Sequence, residues 1–386
     1  MRKSCLFLAL LLSEVAAADP QFVELRGQDV VRGAFVATVS LTDDGDGRLR
    51  VVRRAQYGAA HEVLSGEGAR RGNEVRATLR PSRGAAGVIA GDDAGAAVRY
   101  VLTQVGERWR AASYVGDQRR SVAFGEEIAK VPAWEPGDAK GVHTFDGVPF
   151  VQGAGDAAAV DYSDPVQGML GDCYLIAGLI AVAKTHPEVI EGMITTRDEA
   201  AGLYSVRLVD VGLLWGDADV PVSRAFPYRS GRGDTREPVY ARSVDTRVTP
   251  DGRTICELWP AMIEKAFATH EGGYAEIEGG RCTTVFSFAG AKSTNVDHSA
   301  FNSAQALLGT ITAAVRGGHA VCVGTDDDQG EVGGRLNVVG NHAYVVWSVE
   351  DGKVRLFNPW GSSHPSRALS AEELEAVAAR IYVGEF

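Results

Sequence analysis

The stretch from Gln167 to Leu175 reads Gln-Gly-Met-Leu-Gly-Asp-Cys-Tyr-Leu and places one cysteine directly before an apolar run. Residues 176–183 are apolar on every side and Pro187 follows shortly. We therefore predict a buried helix of about three turns that ends before the proline. Cys173 would lie in its first turn, with Asp172 as the N-cap. Unpaired backbone N–H groups and the positive end of the helix dipole favour a thiolate there.

Gln167 lies six residues before Cys173 on the same loop. Its neutral amide could point an N–H group to the same place as the backbone N–H of Cys173, and two such donors form an oxyanion hole. A single cysteine at the start of a buried helix is more often a small hydrophobic residue. This stretch alone therefore does not identify a nucleophile.

Two predicted strands near the C-terminus supply residues that favour a catalytic role for Cys173. Residues 341–347 and 353–361 read as strands, and Glu-Asp-Gly at 350–352 reads as the turn of a hairpin between them. Their pairing would bring His342 close to Asn358. A neutral asparagine can orient an imidazole that carries positive charge beside a thiolate, as in Cys-His-Asn sites.

Five segments in the same order resemble the catalytic core of the calpain proteases. They are Gln-Gly-Met-Leu-Gly-Asp-Cys-Tyr at 167–174, Glu-Leu-Trp-Pro-Ala-Met-Ile-Glu-Lys-Ala-Phe-Ala at 257–268, Glu-Gly-Gly-Tyr-Ala-Glu-Ile-Glu-Gly-Gly at 271–280, Asn-His-Ala-Tyr at 341–344 and Asn-Pro-Trp-Gly at 358–361. The resemblance covers the chain from about Asp161 to its end. It implies a cysteine endopeptidase of papain-like fold, with a helical lobe that bears the cysteine and a sheet lobe that bears the histidine and asparagine.

The resemblance also implies roles for individual residues. Cys173 would be the nucleophile, His342 the base and Asn358 its orienter. Gln167 would be the oxyanion donor. Trp360 would shield the contact between the histidine and the asparagine from water. The candidates for the substrate cleft are Gly171, Asn341 and Trp360.

Two alternative functions remain open. One is acyl transfer by the same triad to an amine, as in transglutaminases, although the motif at 167–173 favours the calpain side. The other is a noncatalytic binding protein on a protease scaffold. Against it stands the complete set of Cys173, His342, Asn358 and Gln167, which a scaffold without activity has no physical need to keep.

Length and composition predict an α+β protein of several domains. The 386 residues are 45% hydrophobic and 23% charged, which is typical of a folded protein with more than one core. The net charge of −11 argues against a nucleic-acid partner, so the expected partner is a protein or peptide substrate; the oligomeric state is left open. We predict a signal peptide at 1–18, an antiparallel β domain at 19–120, a linker at 121–160 and the catalytic core at 161–386.

The first residues have the pattern of a cleavable signal peptide. Arg2 and Lys3 precede the apolar run 6–12, and the alanines at 16–18 precede Asp19. This predicts a secreted or periplasmic protein. No other stretch is long and apolar enough for a membrane span. The segment that follows alternates polar and apolar residues between Asp-Gly and Gly-Glu turns, which indicates strands; it resembles no family and carries no evident chemistry.

Calcium is possible but not expected, and no cofactor is expected to be required. The resemblance implies two calcium sites within the catalytic core. Asp164 matches one ligand position, but residues 211–216 lack carboxylates and Asp217 and Asp219 are out of pattern. The stretch 361–367 has no carboxylate, whereas calcium takes about six to eight oxygen ligands. No spacing of Cys and His residues indicates zinc.

Four further expectations can be compared with the structure. Of the possible disulfides, a pair between Cys256 and Cys282 is the one to consider. Glu264 and Lys265 should form a solvated salt bridge or one between the lobes. Residues 325–340, with Asp-Asp-Asp at 326–328, should form a mobile loop beside the cleft. The acidic triplet either favours basic substrates or, as is more common for a run of charges, is only solvated. The remaining histidines with ordinary surface or capping roles are His186, His270, His319 and His364.

Overall fold

The computed structural model describes residues 20–386, apart from 45–46, 83–95, 136, 155, 211–215 and 232–234. The chain divides into two compact units, Met1–Ile128 and Ala129–Phe386. The signal peptide predicted at 1–18 lies outside the described residues.

The first unit is an eight-stranded antiparallel barrel in which each strand pairs with the next, and the first strand closes the barrel against the eighth. Alternate side chains fill its interior, including Leu25, Val51, Tyr100 and Trp109. This confirms the predicted antiparallel β domain. The strands are β1 Gln21–Asp29, β2 Gly33–Asp43, β3 Arg48–Tyr57, β4 Ala60–Arg71, β5 Glu74–Pro81, β6 Val98–Val105, β7 Arg108–Val115 and β8 Gln118–Ile128.

Short turns set the register of the barrel. The hairpins β3–β4, β4–β5, β6–β7 and β7–β8 each have a two-residue loop that begins with a glycine of positive φ: Gly58, Gly72, Gly106 and Gly116. Two-residue hairpins require this left-handed conformation, which glycine adopts without steric cost.

Residues 121–160 do not form the single linker that the sequence predicted. Strand β8 continues to Ile128, where it pairs with β1. Residues 141–144 and 147–148 form strands that pair within the second unit. Proline-rich composition concealed these short pairings, because two- to four-residue strands have no measurable alternation of polar and apolar side chains.

The second unit mixes helices with short sheets. Its helices are α1 Cys173–Thr185, α2 Pro187–Met193, α3 Trp259–Glu271, α4 Cys282–Phe288, α5 Ala304–Arg316, α6 Gly330–Leu336 and α7 Ala371–Val377. Its strands are β9 Gly141–Thr144, β10 Gly147–Val148, β11 Pro165–Val166, β12 Ile194–Asp198, β13 Leu203–Leu208, β14 Ala218–Ser223, β15 Ala225–Ser230, β16 Arg236–Pro238, β17 Arg242–Ser243, β18 Thr246–Val248, β19 Thr254–Glu257, β20 Lys292–Asp297, β21 Ala320–Thr325, β22 Ala343–Glu350, β23 Lys353–Phe357 and β24 Ala378–Glu385.

Helix α1 is the centre of the larger hydrophobic cluster of this unit. Residues 174–183 are all buried, as the apolar run predicted, and the helix ends before Pro187. It packs against α4 and against strands β21 and β22. A second cluster fills the space between α5, α7 and the five-stranded sheet of order β20-β24-β21-β22-β23. The unit therefore has two hydrophobic cores. Helix α1 is the centre of the first core and also contacts strands of the sheet that encloses the second.

No single described helix has both the length and the apolarity to cross a membrane. Helices α1 and α2 have the required length and apolarity only when they are taken together, and the chain bends by 116° between the two.

The packing of α1 against α4 gives a prediction for Gly178. A Cβ atom added there would lie 2.6 Å from the Cβ of Val285, which has no room to move, whereas one added at Gly192 in α2 would contact nothing within 4 Å. We expect Gly178→Ala to lower the free energy of unfolding by about 1–3 kcal/mol through overpacking. The matched change Gly192→Ala should be neutral or stabilise by about 0.4–1 kcal/mol. Denaturant unfolding measures both, and equal effects would contradict close packing at Gly178.

Candidate active site

One cleft of about 590 Å³ gathers several of the predicted site residues. Cys173 is the first residue of α1, and His342 immediately precedes β22. Both line this cleft, together with Gly171 and Asn341. The packing of α1 against β22 thus brings two elements distant in sequence to one opening.

His342 is held from behind by Asn358. The predicted hairpin is confirmed, because β22 pairs with β23 and Asn358 directly follows β23. The Nε2 atom of His342 lies 3.0 Å from Oδ1 of Asn358, which is fully buried. An amide oxygen only accepts hydrogen bonds, so Nε2 donates and Nδ1 is the basic nitrogen of the neutral ring.

Trp360 packs on the histidine and does not line the cleft. Its ring centroid lies 4.8 Å from that of His342, and its backbone N–H donates to Oδ1 of Asn358 at 3.1 Å. The indole therefore covers the contact between His342 and Asn358. Trp360 remains 38% exposed on its other side.

Gln167 connects the two loops of the site. Its backbone N–H donates to the carbonyl of Pro359 at 2.9 Å, next to Asn358. One N–H of its side-chain amide donates to the carbonyl of Leu170 at 2.8 Å, and the residue is buried rather than part of the cleft lining. An amide has two N–H groups, so one is left for another acceptor.

The environment of Cys173 opposes the charge state that the sequence predicted. Burial raises the pKa of Cys173 to about 11, and burial lowers the pKa of His342. Desolvation therefore opposes the thiolate that the helix start favours, and it opposes the imidazolium as well. The helix end cannot reverse the desolvation cost here, and the side chain of Asp172 makes no cap hydrogen bond.

Asp172 instead faces Glu264 of α3 inside the protein. Burial raises the pKa of Asp172 to about 7 and that of Glu264 well above its usual value. Two ionised carboxylates have no donor between them, so their contact becomes a hydrogen bond only when one holds a proton. Glu264 also accepts the N–H of Ala241 at 3.0 Å.

Glu264 and Lys265 do not form the solvated pair that the sequence predicted. Both residues are buried, at 1% and 0% exposure. Consecutive helix residues point about 100° apart. Lys265 directs its ammonium group to the carbonyls of Ser223 and Ala225, at 3.1 and 2.8 Å. The two residues thus anchor α3 to different neighbours.

The rim of the cleft carries charges of both signs. Asp326 and Asp327 line it, and so do Arg281 and the pair of Arg380 with Asp297, separated by 3.7 Å. The segment predicted as a mobile loop at 325–340 contains helix α6, which ends at the left-handed Asn337. Four glycines in this segment concealed the short helix in the sequence.

A group of carboxylates near Asp164 could hold a metal ion. Asp156, Asp164 and Asp245 each offer an oxygen, and these atoms lie within 4.8 Å of one another. Burial raises the pKa of Asp164 to about 7. Sequence analysis identified only Asp164, because Asp245 is distant in sequence and no local spacing connects the two. Of the positions considered there, 211–215 lie outside the described residues and Asp217 forms an ion pair with Arg207.

The cysteines do not pair as considered from the sequence. Cys173, Cys256, Cys282 and Cys322 are all free. Cys282 and Cys322 belong to the same buried cluster, and the thiol of Cys322 donates to the carbonyl of Ala177 in α1. Cys256 lies on β19 and is half-buried.

The pair of Asp172 and Glu264 gives a prediction of pH dependence. The pKa of Asp172 is about 7 in the folded protein and about 3.9 in an unfolded chain. Between these values the folded state binds more protons, so its free energy of unfolding falls as pH rises, by at most about 1.4 kcal/mol per pH unit from this group. Asp172→Asn should remove this contribution and make the profile less steep from pH 4 to 7.

The control for this change is Asp251→Asn. Hydrogen bonds from Thr249 and Arg253 hold the pKa of the exposed Asp251 at about 2, so its titration lies below the interval. Denaturant unfolding at several pH values measures both variants. Equal slopes for wild type and Asp172→Asn would show that Asp172 does not hold the proton.

Comparison with known proteins adds the family. The family model of calpain family cysteine proteases matches residues 155–375, more than half of the chain. The calpain-type cysteine protease DEK1 of Arabidopsis thaliana is 28% identical over 52% of this chain and 9% of its own length. Calpain-A of Drosophila melanogaster is 28% identical over 52% of the chain and 24% of its length. A calpain of Schistosoma mansoni is 25% identical over 55% of the chain and 27% of its length.

The chain matches about a quarter or less of the length of these relatives. The match contains the helix that begins at Cys173 and the hairpin that joins His342 to Asn358. The sequence resemblance is thereby confirmed at the level of the family. The chain therefore belongs to the calpain family of cysteine proteases.

Proposed function

We propose that the protein is an exported endopeptidase in which Cys173, His342 and Asn358 form the catalytic triad. The observation that carries this proposal is the bond from His342 Nε2 to the buried Oδ1 of Asn358, at 3.0 Å, in a histidine that lines the same cleft as Cys173. The substrate is a peptide bond of a protein or peptide. Export rests on the signal pattern at 1–18.

The proposed reaction begins with a neutral pair. When the scissile carbonyl approaches, the thiol of Cys173 transfers its proton to Nδ1 of His342, and sulfur forms a bond to the carbonyl carbon. The backbone N–H of Cys173 and the second N–H of Gln167 stabilise the oxyanion. The imidazolium, oriented by Asn358, then gives its proton to the leaving amine, and water hydrolyses the acyl-enzyme.

We further propose the two-lobe arrangement of papain-like proteases for the second unit. One hydrophobic cluster surrounds α1, α3 and α4, and another lies between α5, α7 and the five-stranded sheet. The cleft is lined from both, by Cys173 and Tyr174 of α1 and by Gly324 and Thr325 of β21. Substrate would lie across this boundary.

The triad gives the first prediction of activity. Cys173→Ala and His342→Ala should each abolish hydrolysis of a fluorogenic peptide, because they remove the nucleophile and the proton acceptor. Gln167→Ala should keep a residual rate, reduced by about 10²–10³ in kcat, since one oxyanion donor remains. Peptide hydrolysis and labelling by an epoxide inhibitor measure the loss.

Cys256→Ala is the matched control, because this half-buried thiol is not among the residues of the cleft. It should keep activity and labelling. Hydrolysis by Cys173→Ala at the wild-type rate would overturn the triad. Conversion of an added amine into product would instead favour acyl transfer, and peptide binding without hydrolysis or labelling would favour a noncatalytic scaffold.

Activity, we propose, does not require calcium. Oδ2 of Asp164 accepts the N–H of Asp161 at 2.7 Å and the indole N–H of Trp259 at 3.1 Å, so direct bonds hold this loop. Buried oxygens of Asp164 and Asp245 have no hydrogen-bond partner and fit a cation, but three carboxylates are a partial set for an ion that takes about six to eight oxygens.

The test compares hydrolysis in excess chelator with hydrolysis in millimolar calcium. We expect rates within about twofold, since direct hydrogen bonds do not depend on the ion. A strong loss in chelator that calcium restores would overturn the proposal. If Asp245→Asn then also raised the calcium concentration needed for activity, the group of Asp156, Asp164 and Asp245 would be the site.

A further inference from the structure

His364 contacts Asn358 of the proposed triad and is not among the residues that line the cleft. Asn358 uses its side chain and its backbone N–H in four hydrogen bonds. Its Oδ1 accepts from His342 and Trp360, and its Nδ2 donates to the carbonyl of Ser363 at 3.1 Å. Its backbone N–H donates to Nδ1 of His364, also at 3.1 Å. The loop that follows Asn358 therefore returns to hold it.

The bond to His364 fixes the protonation state of that ring. A backbone N–H is always a donor, so Nδ1 of His364 must be unprotonated and the proton of the neutral ring lies on Nε2. In an imidazolium both nitrogens carry protons, and Nδ1–H would oppose the N–H of Asn358. Protonation therefore replaces a hydrogen bond by a contact between two donors.

The ring of His364 is held in this position by its neighbours. It stacks on Phe357, the last residue of β23, with ring centroids 4.5 Å apart. The amide of Asn337, at the end of α6, donates to the carbonyls of Ser363 and His364 at 3.3 Å. Ser363 adopts a positive φ of 55°, which a non-glycine residue adopts at a cost. The loop is thus constrained at both its backbone and its ring.

The elements around His364 carry charged groups of both signs. No ion pair to His364 occurs among the described residues. Arg335 of α6 and Arg367 of the same loop both bind Glu373, at 2.9 and 2.6 Å. The other titratable groups on the elements packed against it are Glu331 of α6, Lys353 and Arg355 of β23 and, beyond Asn358, His342. Burial lowers the pKa of His364, in keeping with a neutral ring at neutral pH.

We propose that His364 is a positioning residue whose neutral ring holds Asn358, and through it His342, and whose protonation releases both as the pH falls. This inference rests on the proposed function of the triad. Its consequence is a loss of activity in acid that originates outside the residues that touch substrate. His364 would thereby set the lower limit of the working pH.

The test uses the full chain and three variants. His364→Asn keeps an acceptor, its amide oxygen, near the place of Nδ1 but does not titrate. His364→Phe keeps the stacking on Phe357 and leaves the N–H of Asn358 unpaired. His61→Asn changes an exposed histidine of the barrel and is the control. kcat and KM for a fluorogenic peptide are measured from pH 4.5 to 8.

At pH 7.5 we expect His364→Asn to keep kcat within about threefold of wild type, and His364→Phe to lose about tenfold in kcat with little change in KM, which corresponds to one lost hydrogen bond. At pH 5 the Asn variant should exceed wild type, because its acid limb lies at lower pH. His61→Asn should follow wild type. Acid limbs that coincide for wild type and His364→Asn would overturn the proposal.

A second measurement separates this inference from the proposed function. In full-length Cys173→Ala, the amide proton shift of Asn358 in NMR should titrate with the ring of His364 and should stop doing so when His364→Asn is added. This readout does not depend on activity. Absence of hydrolysis by wild type would contradict the proposed function, whereas an amide of Asn358 that does not respond to His364 would contradict the hold on Asn358 itself.

Discussion

The complete burial of helix α1 is the constraint on which the second unit depends. Residues 174–183 are apolar and enclosed, so the helix needs partners on all sides. Helix α4 covers one side and strands β21 and β22 cover another. Because β22 begins directly after His342, the contact that buries the helix also brings the histidine to the cleft that contains Cys173. Packing and site geometry have the same cause.

The second determinant of the site is the chain after β23. Asn358 is fully buried and has each of its polar groups satisfied by residues of the same loop or by His342. The carbonyl of Pro359 accepts the backbone N–H of Gln167, which links this loop to the one that precedes Cys173. An amide side chain enclosed in this way cannot rotate without leaving polar groups unpaired, which costs about 1–3 kcal/mol for each. The asparagine therefore fixes the orientation of the histidine ring.

Sequence reasoning succeeded where a pattern is local and failed where a contact is distant. The apolar run of α1 and the hairpin that joins His342 to Asn358 were both predicted correctly, because each is defined by neighbouring residues. The burial of Glu264 and Lys265, the group of Asp156, Asp164 and Asp245, and the contact of His364 with Asn358 were not. In each case a residue takes its environment from a segment that folding brings near, and a single sequence contains no signal for that.

The same desolvation governs the titratable groups around the cleft. It raises the pKa of Cys173 and lowers that of His342, so burial opposes both charges of a thiolate–imidazolium pair. Behind the helix, ionisation of Asp172 would place a negative charge next to the sulfur, and this also opposes the thiolate. A proton held between Asp172 and Glu264 removes that repulsion. The ionisation of the buried acid pair and that of the proposed nucleophile are therefore coupled. A pH high enough to ionise Asp172 makes the thiolate of Cys173 harder to form, although an isolated thiol ionises more readily as the pH rises.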